Sequence, residues 1–384
     1  MNYLLNKYLE RNHSSIQFEN DCRKGLSLIK DDLKENEIFL TGENHGVKAN
    51  RELRIEFLKY FKEAINFKYY LCELPYSMTY FLNMYLRSGD EGTLRDVYRA
   101  LKGTDAWNQD DYNHWIDLYN YNKPFSREDK IIALGIDIEH QPKNAFKFME
   151  NILDDRKNFR KLRNLTERFK ENNLKDEEVK NISRDIKKEL KDKERNYLNL
   201  LKEDYFRIVY VNDNLLNMFE VYSGNNFSGM RDLKMHDNFL RIYNYLSKDK
   251  YFGQIGLSHV FKKLFPYVNW FASSLNKDGS PLKDKLVSIA YAYKDCRYLY
   301  PTKRKNYVSS IDTLDSSIEE FNGFIKSDYT LFKLNGIDSP FNKKLIWPLS
   351  HKFPSEGVTS DYIDYLLVVR ESREMLEFKD DFWV

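Results

Sequence analysis

The feature that most constrains this chain is an alternation. Short apolar runs recur at 38–41, 69–74, 130–136, 251–255, 286–293 and 365–369, with amphipathic stretches among them. Apolar runs of that length read as buried strands, and apolar residues repeating every three or four positions read as one face of a helix. Residues 50–65 show the second pattern, with Leu53, Phe57, Leu58 and Phe61 on one face. Strands alternating with helices predict an α/β fold: a mainly parallel central sheet flanked by helices. The right-handed crossover rule puts those helices on both faces.

Residues 143–220 depart from this rhythm. They carry no strand signal, and opposite charges stand at i,i+4 spacing through "RNLTERFKENNLKDEEVKNISRDIKKELKDKERNYLNLL". The pattern predicts two or three long helices, a break near 171–173 and charged faces in solvent. It divides the chain into one α/β core domain over 1–142 and 221–384, with a charged helical insertion over 143–220. Acidic residues offset basic ones along that stretch, and the net charge of all 384 residues is only +2. Neither fact predicts a nucleic-acid partner.

Three cysteines, Cys22, Cys72 and Cys296, are far apart and odd in number. That spacing argues against a disulfide framework and suits a reducing compartment. The opening residues MNYLLNKYLERNHSSIQ lack a basic region followed by a long apolar one. No run approaches the roughly 18 apolar residues of a membrane span. The expectation is a cytoplasmic protein with no membrane partner.

Ionisable residues then fall where the predicted strands end. Glu43 and His45 follow the first, in "GENHG", with Arg51 and Arg54 close behind. Glu73 ends the second, Asp137, Glu139 and His140 follow the third, and His259 follows the fourth. Ligands of open parallel sheets bind at the carboxyl ends of the strands. These residues are therefore expected to line one crevice. Tyr76 and Trp107 read as its wall or as core. Each residue also has a plain structural reading: His45 as a turn cap, Glu73 in an ion pair, Asp137 capping a helix, His259 in the core. His13, His114, His236 and His351 read as ordinary histidines.

Imidazole is the side chain best matched to proton transfer near neutral pH. A carboxylate that accepts one ring N–H fixes its tautomer, and Glu43 or Glu73 would do this for His45. No Gly-x-Ser-x-Gly elbow is present to carry a serine nucleophile. Water is the expected nucleophile, with His45 as general base. Arg54 and Arg231 are candidates to stabilise an oxyanion or to hold an acidic substrate group. Glu43, His45, Glu73 and His259 also form a possible nitrogen and oxygen set for a divalent ion. No HExxH or paired-cysteine spacing commits them to metal, so no cofactor is expected.

The same residues carry a resemblance. "GENHG", Arg54 and "LCELP" resemble the erythromycin esterase-like family, whose wider relatives include ChaN-like haem-binding proteins. Further counterparts in the same order are Trp107, Tyr119-Asn120, "LGID" at 134–137, "RDLKMHDN" at 231–238 and "SHV" at 258–260. The match spans roughly residues 35 to 300. Two positions differ. One residue separates Glu43 from His45 where the esterases have two, and Gly256 stands where they have a second histidine. The resemblance implies a hydrolase that cleaves an ester or related acyl bond in a small molecule, a natural product or a peptide. Its catalytic set would be His45, Glu43, Glu73, Arg54 and His259, with Arg231, Asp137, Trp107 and Tyr76 at the substrate. The alternatives are a metal- or haem-binding protein or metal-dependent hydrolase using the same crevice, and a non-catalytic interaction module.

Overall fold

The computed structural model describes residues 2–18, 23–153, 159–170, 174–246, 249–265, 268–300 and 307–378. Its strands are β1 (His13–Ile16), β2 (Ile38–Glu43), β3 (Tyr69–Pro75), β4 (Ile132–Asp137), β5 (Tyr251–Gly256), β6 (Leu286–Lys294), β7 (Cys296–Tyr300), β8 (Tyr307–Ile311), β9 (Tyr329–Lys333) and β10 (Tyr365–Arg370). The six apolar runs became β2, β3, β4, β5, β6 and β10. Eight strands form a mixed sheet in the order β1-β9-β10-β6-β2-β5-β3-β4, while β7 and β8 pair as a separate antiparallel ribbon. Pairing is parallel from β10 through β6, β2 and β5 to β3, and antiparallel where β9 joins β10 and β1. All six residues of β2 and of β5 are buried, as expected of parallel strands covered on both faces.

The helices are α1 (Asn2–Arg11), α2 (Arg23–Leu26), α3 (Lys48–Ile65), α4 (Tyr76–Ser88), α5 (Glu91–Ala100), α6 (Gln109–Asn122), α7 (Pro142–Leu153), α8 (Arg160–Glu167), α9 (Asp176–Asp192), α10 (Glu194–Leu201), α11 (Glu203–Ser223), α12 (Phe227–Tyr245) and α13 (Phe271–Leu275). Leu53, Phe57, Leu58 and Phe61 of α3 are buried as their spacing predicts. Among the described residues no helix is long and apolar enough to cross a membrane.

The chain divides into two compact units. The first comprises residues 1–71, 101–132 and 247–384, and the second 72–100 and 133–246. The described residues of 143–220 are helical with no strand, and the expected break at 171–173 lies outside them. These helices belong to a larger body, because α7 packs on both α4 and α11 and α9 packs on α11. The charged helix α9 has a buried face, Val179, Ile182, Ile186 and Leu190, and an exposed one where Arg184 pairs with Glu177. Cys72 and Cys296 are both buried.

Candidate functional site

In the first unit, β2 delivers Glu43 to the sheet's carboxyl end and the chain turns at once through Asn44, His45 and Gly46. Gly46 has φ = +86°, and a Cβ there would stand 2.1 Å from the Leu299 carbonyl oxygen. The turn is therefore closed to any larger residue. Gly46 O accepts the amides of Leu299 and Met375, which fastens the turn on its far side.

Glu43 is buried and is met from three directions. His45 Nδ1 lies 3.0 Å from Oε1, Arg54 Nη2 donates to Oε2 at 3.4 Å, and Gln254 Nε2 also donates to Oε2. Burial pushes the Glu43 carboxyl up, but the Arg54 charge and the bonds from His45 and Gln254 outweigh it and hold the group below its usual range. Glu43 is thus ionised and can only accept, so His45 donates from Nδ1 and its basic nitrogen is Nε2. The His45 side chain is 38% exposed, enough for a small molecule to meet it. Arg54 is nearly buried, and its other nitrogen donates to Asp111 at 2.7 Å. Asn108 caps α6, accepting from Asp111 N and donating to its carboxylate. Arg51 pairs with Asp117.

Behind Glu43 stands a scaffold that the sequence did not announce. Gln254 of β5 also donates to Asn50 O, and its own oxygen accepts from Tyr291 Oη at 3.1 Å. Tyr293 donates to Asn50 Oδ1 at 2.8 Å and accepts from Asn44 N. Gln254 is a lone amide inside an apolar strand, which is the one local signal that could have marked it. His259 sits in the short turn after β5, buried and edge-on to Trp270 at 5.8 Å. The turn is drawn against β2, for a Cβ on Gly42 would meet Val260 Cγ2 at 2.5 Å. Trp107 is buried against Phe378. His114 is buried edge-on to Tyr70 and Trp115. Burial first, then the Arg54 and Arg51 charges, keep it neutral.

In the second unit, Asp137 at the end of β4 is the centre. Arg231 of α12 grips both its oxygens through Nε and Nη2 and donates from Nη2 to Glu73 at 2.8 Å. His140 Nε2 lies 3.1 Å from Asp137 Oδ2, and Ile138 N donates to Oδ1. Burial opposes the charge, yet Arg231 and His140 hold Asp137 far below the ordinary carboxylate range. Next to it Glu139 is fully buried, accepting from Ser77 N and Oγ. Burial dominates there and raises its pKa to about 7. Tyr76 packs edge-on against Phe148 and Tyr210. The structure thus brings Glu43, His45 and Arg54 together in one unit, and Glu73, Asp137 and Arg231 together in the other. Both arginines expected to face substrate are committed to carboxylates. Among the described residues no three His, Cys, Asp or Glu side chains are grouped as ligands of a metal ion.

No family model and no curated protein matches the chain. Solved structures do. A Bacillus cereus protein aligns over 99% of this chain and 100% of its own, with a TM-score of 0.74 and 14% identity. A succinoglycan biosynthesis protein aligns over 97% and 98% (TM-score 0.70, 13% identity). The erythromycin esterase EreC, a mutant in its open conformation, aligns over 91% and 94% (TM-score 0.64, 16% identity). The chain has the erythromycin esterase fold. At these identities the likeness is one of architecture, and it covers nearly the whole chain.

Proposed function

We propose that the protein hydrolyses an ester or related acyl bond of a small molecule or natural product, with water activated by His45 and without a metal. The observation that carries this reading is the Glu43–His45 contact. It fixes the tautomer so that Nε2 takes the proton of water, while the ionised carboxylate stabilises the imidazolium that results. Arg54 acts as a positioning residue, locked between Glu43 and Asp111. The fold shared with an esterase supports the reaction class.

The test is a panel of esters, lactones and acylated peptides, followed by His45→Asn on whichever is turned over. The variant should keep the fold and lose turnover by about 10²–10⁴-fold, the usual contribution of a general base. The rate should rise with pH as an imidazole deprotonates, and a chelator should leave it unchanged. Full activity in His45→Asn, or activity lost to chelator and restored by a divalent ion, would overturn the reading.

A further inference from the structure

A hydroxyl–imidazole–carboxylate chain lies in the second unit, and its outer member is a tyrosine far from the others in the sequence. His140 Nε2 is 3.1 Å from Asp137 Oδ2, and His140 Nδ1 is 3.0 Å from the phenolic oxygen of Tyr222. Tyr222 is in the last turn of α11, 82 residues beyond His140. Asp137 is ionised and can only accept, so His140 must donate from Nε2. In the neutral ring Nδ1 is then the acceptor, and the Tyr222 O–H donates to it. The carboxylate fixes the direction of the first bond, and the neutral ring fixes that of the second. It is the order found where a serine, a histidine and an aspartate act together.

The supports are hydrogen-bonded from several elements. Asp137 is held by Arg231 through both oxygens, and its backbone carbonyl accepts from Asn214 Nδ2 at 2.6 Å and Asn238 Nδ2 at 3.4 Å. The Tyr222 ring is edge-on to His140 and to Phe227. Yet Tyr222 is 58% exposed, so a reagent in solvent can reach it. Burial of its polar end, helped by the Asp137 charge and opposed by Arg231, raises the Tyr222 phenol above its ordinary range. It stays protonated at neutral pH and needs a base to react.

We propose that Tyr222 is an activated nucleophile, with His140 as its general base and Asp137 as the residue that positions His140, and that it accepts an acyl group from an activated ester. In the first step the Tyr222 oxygen bonds to the acyl carbon, the phenolic proton passes to His140 Nδ1, and the bond to the leaving alkoxide breaks as that oxygen takes the proton from Nδ1. In the second step water gives its proton to Nδ1 and its oxygen to the acyl carbon, the bond to Tyr222 breaks, and the phenolate takes the proton back. The sum is ester plus water to acid plus alcohol. This centre does not depend on Glu43 and His45.

The probe is an arylsulfonyl fluoride, which traps the first step as a stable aryl sulfonate with loss of fluoride. The intact protein is treated near neutral pH and the labelled tyrosines are quantified by peptide mass spectrometry. Tyr300 and Tyr307, 54% and 58% exposed, are internal references of equal access. Tyr222 should label about 10²-fold faster than either, the lower end of what a positioned base contributes. His140→Gln should bring Tyr222 down to the reference rate, and Tyr222→Phe should remove that labelled peptide alone. Labelling of wild-type Tyr222 at the rate of Tyr300 and Tyr307 would overturn the proposal without any variant, and so would undiminished labelling in His140→Gln.

Discussion

The two charged clusters use the same three parts and assemble them in opposite senses. In the first unit a buried carboxylate, Glu43, takes the Nδ1 proton of His45, so the basic nitrogen is Nε2. In the second, Asp137 takes the Nε2 proton of His140, so the basic nitrogen is Nδ1, and a phenol occupies it. In each an arginine ties the central carboxylate to another acid: Arg54 to Asp111, and Arg231 to Glu73. The lesson is that a carboxylate beside a histidine does not define a function by itself. Which ring nitrogen it holds decides what the other one meets.

The comparison can be broken at the arginines first. Removing one partner of a buried ion pair strands the other charge, at a cost of about 3–5 kcal/mol. Arg231→Met should therefore lower stability by that amount in urea unfolding, because Asp137 and Glu73 lose their shared counter-charge. A loss below about 1 kcal/mol would mean that the second cluster is not held by charge.

The second test uses Glu139, an acid beside Asp137 that has no counterpart in the Glu43 cluster. Its folded-state pKa is about 7, above the ordinary value of 4.5. The fold therefore binds a proton that the unfolded chain has released. That contribution is fully present below about pH 4.5 and is lost as pH rises through about 7. Glu139→Gln should flatten this slope, leaving the variant on the order of 3 kcal/mol more stable than wild type at pH 8 relative to pH 4. An unchanged slope would remove Glu139 from the account.

Smaller effects follow. Arg54→Lys keeps the charge but loses the two-pronged reach to Glu43 and Asp111, and should cost about 2 kcal/mol, the worth of one hydrogen bond to a charged group. Arg184→Ala, which breaks an exposed pair on α9, should cost no more than about 0.5 kcal/mol. Thermal unfolding of the two variants side by side checks both.

Much of this architecture was legible because its signals are local. The apolar runs of the six buried strands stand out from charged surroundings, and Glu43, His45 and Arg54 lie within twelve positions of one another. The elements not anticipated carry weak patterns. Strand β1 is the four residues HSSI, mostly half-buried, and β8 is almost wholly exposed. The scaffold behind Glu43 was hidden for another reason. Gln254, Tyr291 and Tyr293 reach it from β5 and β6, so their roles follow from strand register rather than from any neighbour in the chain. Tyr222 meets His140 only because α11 returns to the end of β4.

The fastening of the His45 turn has a consequence for timing. Gly46 accepts from Met375, Lys48 N donates to Arg373 O, and Ala49 N donates to Ser372 Oγ. These three partners are thus synthesised more than three hundred residues after the turn. A nascent chain that has not reached Ser372 already contains Glu43, His45 and Arg54, yet lacks these three bonds and has only the Leu299 amide to meet Gly46 O. Contacts of such long sequence separation carry a large loop-closure cost, so the fastening of the turn to Ser372, Arg373 and Met375 adds to the slow, non-local part of folding.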